Sequence, residues 1–93
     1  MYEWDDDKNK ANKARHRVAF EEAEQFDWEG ALVAPDDRQD YGESRFVVVG
    51  YIGNRLHVLA FTERADKVRV ISLRKANKRE EKRYEKAQAG QRG

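Results

Sequence analysis

Two arginines close successive apolar stretches in the second half of the chain: Arg64 in Thr62-Glu63-Arg64, and Arg74 in Ser72-Leu73-Arg74-Lys75. A guanidinium fork binds phosphate through paired N–H bonds, and a lysine ammonium binds it as a point charge. Further cations lie around them at Arg69, Lys75, Lys78, Arg79 and Arg83. Groups able to carry a proton are His16, Glu63, Lys13 and Tyr84. Together these residue types suit metal-free cleavage of RNA. A base takes the proton of a ribose 2′-OH, a cation stabilises the pentavalent phosphorane, and an acid protonates the 5′-oxygen that leaves. His16 has the natural pKa for proton transfer, although a lone histidine near a helix end also serves as a dipole partner or structural donor. Each arginine has a plainer reading too, as a surface partner of a nearby glutamate that contributes little. That reading is preferred for Arg45, Arg55 and Arg92, and phosphate binding is preferred for Arg64 and Arg74.

Other chemistries find little support. The chain has no cysteine, so a disulfide framework, a thiol nucleophile and a thiolate metal site are excluded. His16 and His57 are far apart in sequence, and neither belongs to a ligand-spaced cluster, so no metal and no cofactor are expected. Asp5-Asp6-Asp7 reads as helix-capping charge. Ser44 and Ser72, the only serines, have no catalytic context, and no glycine-rich phosphate loop is present.

Net charge is only +1, yet charge is segregated along the chain. From Glu21 to Glu43 there are nine carboxylates, with Arg38 as the one fixed cation. From Arg69 onward there are nine Lys/Arg and three Glu. One region repels a polyanion and the other attracts it, a pattern suited to nucleic acid and equally to a solvated helix. With 40% charged residues and 39% hydrophobic ones, the 93 residues (1–93) are expected to form one domain with one modest core. No apolar run approaches a membrane span, and the acidic start is unlike a signal peptide, so a cytoplasmic location is expected.

The elements that must position these residues can be read from periodicity. Asp5 should cap a helix from Lys8 to His16, thin in apolar content. A second short helix, Ala19 to Phe26, carries Phe20, Ala23 and Phe26 on one stripe. Strands follow at Ala31 to Ala34, Arg45 to Ile52, Arg55 to Thr62 and Val68 to Leu73, joined by short turns such as Gly53-Asn54. Alternation puts Val68, Val70, Ser72 and Arg74 on one side of the last strand, with Arg69, Ile71 and Leu73 on the other. Arg64 and Arg69 then fall near one rim, and Arg74, Lys75, Lys78 and Arg79 near the opposite one. A basic helix from Asn77 to about Ala89 closes the chain, with Asn77 and Glu80 spaced as a capping box and Tyr84 and Ala87 as its core-facing residues. Residues 90–93 should fray. The fold class is therefore α+β: two short N-terminal helices, an antiparallel meander of about four strands, and a C-terminal basic helix.

In this order and spacing, the chain resembles the BrnT family of toxins, which look like divergent relatives of RelE-type messenger-RNA interferases. The resemblance rests on Glu3-Trp4-Asp5 with Lys8 and Asn12, Arg15-His16 leading into Val18-Ala19-Phe20-Glu21-Glu22-Ala23, and Asp37-Arg38. It continues through Tyr41-Gly42-Glu43-Ser44-Arg45, Phe61-Thr62-Glu63-Arg64, Arg69-Val70-Ile71-Ser72, Arg74-Lys75-Ala76, Arg79-Glu80 and Arg83-Tyr84. Two departures stand out. Arg17 replaces a glycine that would suit a left-handed helix end, and Ala19 replaces a serine that would cap the next helix. The resemblance implies a RelE-like fold and an endoribonuclease that inhibits translation and growth as the toxin of a type II toxin–antitoxin system. It further implies a cognate ribbon-helix-helix (BrnA-like) antitoxin, joined in a two-to-two complex that binds operator DNA through the antitoxin. Under it, Arg64 and Arg74 are expected to bind the scissile phosphate, with His16, Glu63 and Lys13 as candidates for moving protons. RNA contact is expected at Arg69, Lys75, Lys78, Arg79, Arg83 and Tyr84. The competing expectation is a catalytically inactive module that only pairs with a DNA-binding antitoxin or regulator.

Overall fold

The computed structural model describes residues 1–38, 40 and 42–91. Tyr41, Arg92 and Gly93, named above, lie outside the described residues. The elements are β1 (Tyr2–Glu3), α1 (Asp6–His16), a 3-10 helix (Phe20–Gln25), β2 (Leu32–Pro35), β3 (Phe46–Ile52), β4 (Arg55–Arg64), β5 (Lys67–Lys75) and α2 (Lys78–Gln91). Among the described residues, no helix is long and apolar enough to cross a membrane.

Helix α1 starts where its charges favour it. The Asp5 carboxylate accepts the Lys8 N–H at 3.1 Å, and Asp6 and Asp7 sit at the positive end of the dipole. The helix stops at Arg17, which is left-handed at φ 60° and donates its N–H to the Lys13 carbonyl at 2.8 Å. A β-carbon in that conformation costs about 1 kcal/mol, which a glycine would avoid. With so little apolar surface, α1 is held by a polar clamp. Asn12, its only buried residue, donates Nδ2 to the carbonyls of Leu73 at 2.7 Å and Val18 at 2.9 Å. Its Oδ1 accepts the Leu73 N–H at 3.2 Å. The amide thus pairs with the edge of β5 as a neighbouring strand would.

The second predicted helix is a 3-10 helix. Phe20, Ala23 and Phe26 recur at every third position, which matches three residues per turn better than 3.6. Ala19 has no side chain to cap it. Instead the Ala19 N–H donates to Glu22 Oε2 at 3.0 Å, and the Phe20 N–H donates to Asn9 Oδ1 at 2.8 Å.

Among the described residues, the sheet has five strands in the order β1-β5-β4-β3-β2. Strands β2 to β5 form the expected antiparallel meander. The fifth strand, β1, runs parallel to β5, with Tyr2 opposite Val68 and Glu3 opposite Arg69. Two residues are too few to show alternation, so the meander expectation missed it. A register shift at Ala60/Phe61 corrects the expected alternation as well. Ala60 faces Ser72 while Phe61 faces Val70, leaving Ile71 as the extra residue of a bulge. Val70 and Leu73 therefore share the main core, and Ser72 and Arg74 turn to the other face.

The two faces are covered unequally. Under α1 and the 3-10 helix lies the main core, which includes Val18, Phe20, Phe26, Val48, Leu59, Phe61, Val70 and Leu73. The opposite face carries a smaller cluster of Leu56, Val58, Ala76 and Tyr84, flanked by Leu32, Val47 and Val49. Helix α2 covers only part of it. Its start is the expected capping box: the Glu80 N–H donates to Asn77 Oδ1 at 2.8 Å, and the Asn77 N–H donates to Glu80 Oε1 at 2.9 Å. Further along, the Tyr84 hydroxyl donates to the Gly30 carbonyl at 2.6 Å, and Gln88 Nε2 donates to the same oxygen at 3.0 Å. The helix continues through Gly90 to Gln91, where fraying was expected.

Candidate functional site

What α2 leaves uncovered is a groove of about 760 Å³. Val47, Val49, Val58, Ala60 and Ser72 make its floor, from the inner strands β3, β4 and β5. Strand β2 and Asp36 to Arg38 form one wall, Arg15 and His16 from the end of α1 another, and Glu80, Arg83 and Tyr84 from α2 a third. Arg74 rises from β5 between the last two. Its placement follows from the bulge, which turns it to this face, and from the Asn12 clamp on the preceding residue. Asn12 and His16 are four apart on α1, so the clamp also aims His16 at the end of β5 that carries Arg74.

Arg74 is held by a carboxylate from α2. Nη1 donates to Glu80 Oε1 at 2.8 Å and Nη2 to Glu80 Oε2 at 2.7 Å, and Nη1 also donates to the Lys75 carbonyl at 3.3 Å. A guanidinium has five N–H donors in one plane. These bonds use three of them. The remaining two, on Nε and on the outer side of Nη2, lie along a single edge and can meet two oxygens of one phosphate. Hydrogen bonding to Arg74 holds Glu80 below its ordinary pKa, and the same bond raises the pKa of Arg74. His16 is shifted the other way. Burial, then the charge of Arg15, then that of Arg74 lower its pKa from 6.5, so the imidazole is neutral at neutral pH. Arg15 and Arg83 carry no ion-pair partner among the described residues, which leaves both able to follow a bound anion.

Of the residues singled out from sequence, the groove gathers His16, Arg74, Arg83 and Tyr84. Tyr84 is buried, with its hydroxyl committed to Gly30 and its ring edge-on to Tyr51, so it anchors α2 and has no donor left for RNA. Lys75, Lys78 and Arg79 are exposed beside the groove, at the end of β5 and the start of α2. Lys13 is exposed on α1 and does not line the groove.

Arg64 and Glu63 are elsewhere. Arg64 pairs with Lys67 at the far end of the β4–β5 hairpin, and Arg74 pairs with Val58 seven positions along β5. At about 3.3 Å per residue that separation is roughly 20 Å. The two arginines lie at opposite rims, as alternation along the hairpin implies, so they cannot hold one phosphate together, contrary to the expectation that both bind the scissile phosphate. Arg64 Nη2 instead donates to Glu43 Oε1 at 3.4 Å, and Glu63 is exposed beside it. Arg69 donates to Glu3 Oε2 at 3.0 Å and ties β5 to β1.

Sequence reading missed Arg15 and Glu80 as groove residues. Arg15 precedes a recognised histidine but falls on a face that thin apolar content left undefined. Glu80 was legible only as a cap, because its second partner becomes visible once β5 and α2 are docked.

A neutral histidine beside an arginine whose Nε/Nη2 edge meets no partner among the described residues can take a proton and steady a phosphate. Residues 4–80 match the model of a family described as "Ribonuclease toxin, BrnT, of type II toxin-antitoxin system". No curated protein matches the chain.

Proposed function

The chain belongs to the BrnT family of type II ribonuclease toxins, and from that premise we propose that the groove between α1, β5 and α2 is where it cuts RNA. The observation that carries this is the meeting of neutral His16 with the oriented fork of Arg74. A phosphodiester seated on the Nε/Nη2 edge of Arg74 has its negative charge shared by Arg83 and Arg15. His16 takes the proton of the adjacent ribose 2′-OH, and the oxygen attacks phosphorus. Charge grows on the phosphorane oxygens, and the arginines hold it more tightly than in the ground state. The P–O5′ bond breaks, and the leaving oxygen takes a proton from water in the open groove. The products are a 2′,3′-cyclic phosphate and a 5′-hydroxyl. No step requires a metal ion.

Lys75, Lys78 and Arg79 continue the positive surface along the strand leaving this site, a path suited to the RNA backbone. A cognate antitoxin follows from the family. Its ribbon-helix-helix, BrnA-like type, the two-to-two assembly, operator binding through it, a RelE-like fold and action in the cytoplasm complete the proposed reading.

The experiment is end analysis of the cleavage products, together with a substrate carrying a single 2′-deoxy nucleotide at the cut site. Cyclic phosphate ends and full resistance of the deoxy substrate are expected. A 3′-hydroxyl product or cleavage at the deoxy position would discard the mechanism.

A further inference from the structure

We infer that Glu80 is a positioning residue for RNA cleavage, coupling the docking of α2 to the orientation of Arg74. The inference rests on the proposed role of the groove. Glu80 has two tasks in one carboxylate. Both oxygens meet the fork of Arg74, at 2.8 and 2.7 Å, while Oε1 also accepts the Asn77 N–H at 2.9 Å. The Glu80 N–H is in turn fixed on Asn77 Oδ1 at 2.8 Å. The carboxylate cannot rotate without releasing the helix cap or one arm of the arginine. At the other end, the backbone preceding Arg74 is clamped by Asn12. Arg74 is therefore fixed at its root by α1 and at its tip by α2.

This arrangement decides which donors substrate meets. With Glu80 in place, the end of the fork is occupied and only the Nε/Nη2 edge is offered. Without it, the long side chain can turn and present either pair of donors, so phosphate still binds but in mixed poses. A carboxylate next to a phosphate site also weakens anion binding. Keeping Glu80 thus trades affinity for orientation, and orientation acts on the chemical step more than on binding.

The trade gives a distinct kinetic signature. In Glu80→Gln the amide oxygen can still accept the Asn77 N–H, but the NH2 group opposes the Arg74 donors. Cleavage of a fluorophore-labelled single-stranded RNA should show kcat lowered roughly tenfold with KM unchanged or lower. In the Arg74→Ala background the same change should have no further effect on kcat. Asn77→Ala controls for the cap: it should lower Tm and leave kcat within about twofold, since the Glu80–Arg74 pair survives. Wild-type kcat in Glu80→Gln, with Arg74→Ala inactive, overturns the inference and leaves the groove reading intact. Equal losses in Asn77→Ala and Glu80→Gln overturn it too, by reducing Glu80 to a cap. Full activity in Arg74→Ala overturns the groove reading itself, and this inference with it.

Discussion

The two ends of the β4–β5 hairpin carry the same ingredients in different states. At one end Arg64 meets Glu43 through a single 3.4 Å contact, with more than half of its side chain exposed at 55%. Glu43 divides its attention with Arg45, also at 3.4 Å. At the other end Arg74 meets Glu80 through two short bonds, and Glu80 Oε1 also accepts the backbone N–H of Asn77. The first pair links the end of β4 to the loop before β3, and the second links β5 to α2. An exposed pair of the first kind gains little, because solvent screens it and entropy opposes it. The lesson is that a cation becomes a tool when something else holds its geometry. Counting arginines at strand ends gives both rims equal weight, and the pairing partners break the tie.

That comparison can be broken most directly by truncating the two arginines. Arg74→Ala should lower kcat by about 10²–10³-fold, the loss typical of one oriented donor at a developing charge. Arg64→Ala should stay within about threefold in the same RNA cleavage assay, with unchanged thermal unfolding. The reverse order would move the site to the other rim. The next largest effect is on stability. Asn12→Ala strands the buried N–H and C=O of Leu73 and should cost about 2–3 kcal/mol in denaturant unfolding. A loss under 1 kcal/mol would show that α1 docks without the clamp.

A smaller effect sharpens the comparison through pH. As the proposed base, His16 must be neutral to act, and burial, Arg15 and Arg74 all lower its pKa. The acid limb of the activity profile should therefore lie below that of an unshifted histidine. An NMR titration of His16 should move upward in Arg15→Ala and in Arg74→Ala, and not in Arg64→Ala. The smallest effect lies at the end of α1: Arg17→Gly should raise stability by about 1 kcal/mol by relieving the left-handed conformation. A fall in Tm would show that the Arg17 side chain contributes more than its backbone strain removes.

Much of this molecule is legible in the sequence because the responsible interactions are local. Asp5 as a cap, the Asn77–Glu80 box and the β-branched run from Phe46 to Ile52 each declare themselves within a few residues. The parts that escape depend on partners distant in the chain. Parallel β1 is two residues long and needs β5, 66 positions away in the Tyr2–Val68 pair, to become a strand. The bulge at Ile71 exists only relative to β4, and it overturns the simple alternation that put Val70 with Arg74. The site shows the same division. His16 and Arg74 are noticeable by residue type, but their meeting depends on Asn12 reaching across 61 positions to Leu73. Arg64 looks equivalent to Arg74 until Glu80 is seen.

Strand β5 receives β1 on one edge, β4 on the other, and the Asn12 clamp as well. This makes it the keystone of assembly in time as well as in space. A ribosome making the chain produces the His16 side of the groove first, while the Arg74 side does not yet exist. Until β5 is synthesised, β1 has no neighbour and the β5 backbone that anchors α1 is missing. Closing contacts so distant in sequence is also slow, because loop entropy must be overcome before they form. On the proposed reading of the groove, a chain that ends before β5 lacks Arg74 and should be inactive. On the proposed site, activity arrives only with closure of the sheet on β5 and the docking of α2 that follows it.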